Sequence, residues 1–218
     1  EERRGECVVL LHGLFRSAYA MKPLQWYLDN RGYTTVNNSY ASLAYSIPEL
    51  AEQAVAGGAA ECRALGVSRI HFVTHSLGGI LLRQYTAVNT LDGLGRVVML
   101  GPPNRGSQVA DFIQSLELEA LTPRAIMELT TGEQGVPLRL GPVSFELGVI
   151  AGTLRETTVL PGFPDELSDG TVAVAETIVP GMLDFLQMPT SHTFMIWNPQ
   201  VFEQVAHFLQ HGAFSRSP

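Results

Sequence analysis

The sequence predicts an α/β domain, a parallel sheet flanked by helices. Three observations carry that prediction. Short apolar runs recur along the chain, at Cys7-Val8-Val9-Leu10-Leu11, Tyr33 to Val36, Ile70 to Val73, Arg96-Val97-Val98-Met99-Leu100 and Leu147 to Ala151. Runs this continuously apolar are the mark of strands buried on both faces, as in a parallel sheet. Stretches with helical spacing alternate with them, which is the α/β pattern. Finally, the third run turns abruptly into a helical pattern around one residue, Ser76, in Thr74-His75-Ser76-Leu77-Gly78-Gly79.

The elements follow in order. Glycine in His12-Gly13-Leu14-Phe15, directly after the first strand, lets the backbone turn and leaves amide N–H groups aimed outward. A helix is predicted over 21–31, with Met21, Leu24 and Leu28 on one side and Gly32 as its stop. Ser46-Ile47-Pro48-Glu49 is a capping box. The helix it opens runs to about Leu65, with Ala51, Ala54, Val55, Cys62 and Leu65 as its buried stripe, although Gly57 and Gly58 weaken it. After Ser76, residues Ile80, Leu81, Tyr85 and Val88 trace one helix face. The alternation fades over residues 108–144, where two weak helical patches stand near 108–116 and 121–129. A short strand is expected at Thr171 to Val174, and a last strand or loop near Asp184 to Met188. Asn198-Pro199 then caps a last helix with Val201, Val205, Phe208 and Leu209 inward.

Composition narrows the function. The 218 residues suit a single domain, 1–218, with a small cap or lid-like insertion within 102–144. The net charge of −7 argues against nucleic acid, whose phosphates need a basic face. No Gly-rich loop ending in Gly-Lys-Ser or Gly-Lys-Thr and no His-Glu-x-x-His occurs, so no cofactor and no metal is expected. Cys7 and Cys62 are too few for a disulfide framework and read as small buried hydrophobes. The opening Glu-Glu-Arg-Arg-Gly-Glu is not a secretory signal, which leaves the compartment open between cytoplasmic and secreted after processing. No apolar run spans a membrane and no basic amphipathic helix predicts a stable anchor, leaving room only for transient contact with a lipid interface. The oligomeric state is not legible.

Ser76 can be an N-cap, but the strand–turn–helix context makes it a candidate nucleophile held in a strained elbow. Thr74 stands where the elbow pattern has glycine; Gly78 satisfies the other side. A serine hydroxyl needs a base to take its proton and an acid to orient that base. The end of a later strand supplies each: Asp169 in Ser168-Asp169-Gly170-Thr171, and His192 in Thr190-Ser191-His192-Thr193. Asp165 and Asp184 are rivals for the acid, Asp184 the stronger. The amides of Leu14 and Leu77 are the candidate oxyanion donors. His12 is expected to fix its loop, His71 and His75 to pack or orient, and His207 and His211 to lie at the surface.

At these residues the chain resembles an α/β-hydrolase, and within that superfamily it is similar to small bacterial lipases and carboxylesterases. His12-Gly13-Leu14, the elbow, Gly101-Pro102-Pro103-Asn104-Arg105-Gly106-Ser107, Ser168-Asp169-Gly170-Thr171-Val172 and Ser191-His192 fall in that family's order. The resemblance implies a compact α/β-hydrolase fold lacking the family's first two strands, with a mostly parallel, roughly six-stranded sheet flanked by helices. It also implies Ser76 as nucleophile, Asp169 as acid and His192 as base, acting on a small-molecule ester or lipid. Residues 102–144 take the place of the family's lid and carry Phe112, Ile113, Leu116, Leu118, Leu121, Ile126, Met127 and Leu129. They either cover the sheet or bind the acyl chain, with Phe15, His75, Phe112 and Ile113 as candidate substrate contacts. The expected activity is a serine ester hydrolase forming an acyl-enzyme on short- to medium-chain or longer esters. Acyltransferase, thioesterase and amidase share the machinery, and a non-catalytic binding protein is the rival of another class.

Overall fold

The computed structural model describes residues 5–116, 122–154 and 166–216; Leu118, Leu121 and Asp165 lie outside them. Six strands, β1 (Glu6–Leu11), β2 (Thr34–Val36), β3 (Arg69–His75), β4 (Leu94–Leu100), β5 (Leu147–Gly152) and β6 (Asp184–Met188), form one sheet in the order β2-β1-β3-β4-β5-β6. Every neighbouring pair is parallel. Alternating side chains go to opposite faces, and both faces are dry. Val9, Leu11, Ile70, Phe72, Val97, Met99 and Val149 meet one half of the core. Val8, Leu10, Val73, Val98, Leu100 and Ile150 meet the other. Both faces being covered is why these strands read as unbroken apolar runs.

Helices α1 (Lys22–Asp29) and α9 (Pro199–His211) cover the second face, with Leu24, Leu28, Val201, Val205, Phe208 and Leu209 buried. Asn198 caps α9 by accepting from the Gln200 amide, and left-handed Gly212 ends it. The first face is covered by α2 (Ile47–Ala51), a π-helical turn at Glu52–Ala56, α3 (Gly57–Ala64) and α4 (Leu77–Val88). The Ser46–Glu49 capping box forms as expected. Gly58 is required by close packing, since a Cβ there would lie 2.5 Å from Val9 Cγ1. Between β4 and β5 the described residues form three short helices, α5 (Gln108–Ser115), α6 (Arg124–Met127) and α7 (Val136–Arg139). The last of them has no signal in the sequence. Buried Arg83 on α4 ties this region down by donating to the carbonyls of Asn104, Pro137 and Gly141.

Four expectations are corrected. Cys7 and Cys62 are not free thiols but a disulfide joining β1 to α3 across 55 residues of chain. Their burial was legible; their adjacency depends on α3 docking on β1. Residues 171–174 do not form a strand. The Thr171 and Val172 amides instead turn inward to donate to Asp169, and a short helix, α8 (Val174–Thr177), follows. Leu65 is 58% exposed, lying past the end of α3 after the π turn has rotated the helix phase. Val88 is 71% exposed because α4 is buried only over its first two turns.

Closing a loop of 55 residues restricts the unfolded chain by about 4 kcal/mol on the chain-entropy account. The Cys7→Ala/Cys62→Ala double variant is therefore expected to lose about that much in urea unfolding. A midpoint matching oxidised wild type would contradict the bridge.

Candidate active site

The carboxyl ends of β3, β4, β5 and β6 converge on one edge of the sheet, where open α/β sheets place their ligands. Ser76 follows β3 directly. It has φ 53° and ψ −121°, a left-handed conformation that a non-glycine residue adopts at a cost of about 1–2 kcal/mol. The surroundings enforce it. The Ser76 amide donates to Leu100 O, continuing the β3–β4 ladder, and α4 starts at the next residue. Close approach of helix and strand needs Gly78, where a Cβ would lie 2.7 Å from the Leu11 carbonyl oxygen. Thr74 is accommodated because Gly79 leaves it room: a Cβ on Gly79 would lie 3.2 Å from Thr74 Oγ1. The glycine missing before the serine is thus compensated by a second one after it.

Asp169 is almost fully buried beneath the loop after β6. Its Oδ1 accepts from the amides of Thr171 (2.9 Å) and Val172 (2.8 Å), and its Oδ2 lies 2.6 Å from His192 Nδ1. The His192 amide also donates to the Asp169 carbonyl at 2.9 Å, so backbone and side chain hold the pair in register. Gly101, at the end of β4, makes space for it, since a Cβ there would lie 2.9 Å from Asp169 Oδ2. A carboxylate can only accept, so His192 Nδ1 carries the proton and Nε2 offers its lone pair. Asp184 stands elsewhere, at the opposite, amino end of β6, where it accepts from Arg216 and from the Phe214 amide.

The other histidines have distinct settings. His12 is buried, stacked on Tyr40 at 3.9 Å between centroids, and its Nε2 accepts from the Tyr40 amide. Its Nδ1 then donates to the Gly13 carbonyl, and burial lowers its pKa. His75 Nε2 lies 2.9 Å from the His192 carbonyl, which can only accept, so His75 is protonated there. Burial first, then the neighbouring His192, pushes the His75 pKa well below the ordinary value, so it stays neutral. His71 sits at the far end of β3, its Nδ1 accepting from the Arg96 amide, and burial lowers its pKa to about 4.

Gly13 brings the loop after β1 against the elbow; a Cβ on it would lie 3.1 Å from Ser76 Cβ. Leu14 in that loop and Leu77 at the start of α4 therefore flank the serine. The first amides of a helix have no intrahelical acceptor, which leaves the Leu77 N–H pointing out of α4.

Ser76 and His192 line one cavity of about 310 Å³. Its walls include Leu14, Phe15 and His75, and the 102–144 region contributes Val109, Ala110, Ile113, Ile126 and Leu129. Ala110, Ile126 and Leu129 also join the core, so this region both covers the sheet and faces the cavity. Of the candidate substrate contacts, Phe15, His75 and Ile113 reach the lining, whereas Phe112 is not part of it. Arg16, which lies just past His12-Gly13-Leu14-Phe15 and was no site candidate, also lines it, as do Val172 and Thr193 from within the Asp169 and His192 motifs. The signal for these three was position alone, beside or within a motif. Among the described residues no group of three His, Cys, Asp or Glu side chains could hold a metal ion, and no helix is long and apolar enough to cross a membrane.

Residues 8–210 match the model of the alpha/beta hydrolase family. In structure the chain is similar to a Bacillus licheniformis lipase, BlEst2. In its propeptide form the TM-score is 0.78 at 17% identity, covering 100% of this chain and 53% of that one. The chain thus spans about half the length of that form, and 94% of the mature form, where the TM-score is 0.71 at 17% identity over 97% of this chain. It is similar also to Aspergillus fumigatus lipase B, with a TM-score of 0.70 at 15% identity over 96% of this chain and 54% of that one. A metagenomic carboxyl esterase gives 0.67 at 19% identity over 87% and 65%. At these identities the likeness concerns the fold.

Proposed function

Because the chain belongs to the alpha/beta hydrolase family, we propose that it is a serine ester hydrolase of the carboxylesterase or lipase type, acting through an acyl-enzyme on Ser76. The observation that carries this reading is the 2.6 Å contact between Asp169 and His192 beside a serine held in a left-handed elbow on the same cavity. The reaction follows from the proton positions. His192 Nε2 takes the Ser76 proton as Oγ attacks the ester carbonyl, and the amides of Leu14 and Leu77 receive the developing oxyanion. His192 then gives the proton to the leaving alcohol, and water returns by the same route to free the acid. Asp169, buried and accepting from two amides as well as from His192, stabilises the imidazolium formed between these steps.

Residues 102–144 act in this reading as the cap of a single domain and form the apolar wall for the acyl chain. A volume of about 310 Å³ lies at the lower end of small-molecule pockets and favours short- to medium-chain acyl groups. The neighbours named lipase and carboxyl esterase support the ester class.

The test is covalent capture followed by turnover. Diethyl p-nitrophenyl phosphate is expected to add one diethylphosphoryl group to the peptide carrying Ser76, with loss of p-nitrophenyl ester hydrolysis in step. The chain-length series from acetate to palmitate is expected to peak at short to medium acyl groups. Label on another residue, or none with no ester turned over, would move the reading to amide or thioester chemistry or to binding alone.

A further inference from the structure

Arg16 is the one formally charged side chain lining the cavity that holds Ser76 and His192, among the described residues. It also lines, with Phe15, a more open groove running over residues 40–44, and among the described residues that groove has no acidic wall either. Among the described residues, a chain of net charge −7 thus lines both spaces without a carboxylate and presents a guanidinium where they meet. Phe15, at φ 57° and 64% exposed, is held in a strained backbone conformation between them. Arg16 Nη2 donates to Thr193 Oγ1 at 3.2 Å, which ties the guanidinium to the residue that follows His192, and both line the same cavity. Its charge also contributes to keeping His75 neutral.

The position has a chemical meaning in an acyl transfer. In the ester-hydrolase reading the acyl chain takes the apolar wall that Ile113, Ile126 and Leu129 contribute. The alcohol oxygen must lie at His192 Nε2, since that atom returns the proton when the carbonyl carbon–oxygen bond breaks. Arg16 is thus on the leaving-alcohol side. A guanidinium there matches an oxyanion group in fork geometry and repels a cation.

We propose that Arg16 recognises an anionic group, phosphate or carboxylate, carried by the alcohol portion of the ester, so that the enzyme selects acyl esters of anionic alcohols. This rests on the ester-hydrolase reading above. The acyl group goes to Ser76, the proton to the alcohol oxygen, and the alcohol departs with its anion still facing Arg16 across the open groove.

The experiment holds the acyl group at butyryl and varies the alcohol: glycerol (neutral), glycerol 3-phosphate, glycolate and choline. In wild type, kcat/KM is expected to be about tenfold higher for at least one anionic ester than for the glycerol ester, with choline below both. Preference for the phosphate ester alone identifies a phosphoryl alcohol, and for the glycolate ester alone a carboxylate. Arg16→Gln is expected to bring the anionic-to-neutral ratio to within about twofold of one, and Arg16→Lys to keep part of it. A purely structural role for Arg16 would lower all four rates together and leave the ratio intact. The wild-type ratio should also shrink between low and high salt, a readout needing no variant. A flat ratio in wild type, or one that survives Arg16→Gln, overturns the proposal while leaving the hydrolase reading in place. Failure of wild type to cleave any of the four esters overturns both.

Discussion

Replacing Ser76 with alanine is expected to lower kcat on p-nitrophenyl butyrate by about 10⁴- to 10⁶-fold. The expectation rests on geometry: the serine is the side chain that the β3–α4 elbow projects into the cavity shared with His192. Alanine meets the same backbone cost at φ 53° as serine does, so folding should be unchanged. The oxyanion donors proposed above are backbone amides, of Leu14 and Leu77, and would survive the substitution, which sets the floor of residual rate. Urea unfolding matching wild type, together with the lost rate, would separate chemistry from stability. Retention of a tenth or more of the wild-type rate would remove Ser76 from the mechanism.

Asp169→Asn is expected to cost about 10⁴-fold in kcat, again with the fold intact. The asparagine oxygen can still accept from the Thr171 and Val172 amides, so the turn survives. What changes is the atom facing His192 Nδ1, now 2.6 Å from a carboxylate oxygen. An amide NH₂ there can only donate, so His192 would carry its proton on Nε2 and lose the lone pair that accepts from Ser76. Asp184→Asn is the matched control. That residue sits at the other end of β6, paired with Arg216, and its loss should appear in stability rather than in kcat. The reverse outcome, with Asp184→Asn inactive and Asp169→Asn active, would reassign the acid.

Much of this arrangement was legible beforehand, for a physical reason. Strands buried on both faces leave long apolar runs, and β1, β3, β4 and β5 stood out accordingly. The elbow, the Asp-Gly turn and the Ser191-His192 loop carry backbone constraints that select particular residues, so the three groups now found at one sheet edge could be picked out singly. Other features had no local signature. Whether Cys7 and Cys62 meet depends on how α3 docks on β1, and the spacing of two cysteines does not encode that. The amides of Thr171 and Val172 serve a carboxylate, while their side chains look like those of a strand. The place of Arg16 comes from its contact with Thr193, which lies 177 residues away in the chain.

The link between β1 and α3 also bears on how the protein is made. Such bridges form and last where thiols are oxidised, and in a mesophile's reducing cytosol they are rare. Chains synthesised under reducing conditions would therefore fold, if at all, with the first strand held to its covering helix by packing alone. Inactivity of such material would report the redox history of the preparation rather than the chemistry of the site. Protein that has passed through an oxidising compartment, or has been refolded with a thiol–disulfide couple, is the form on which the catalytic measurements above have meaning.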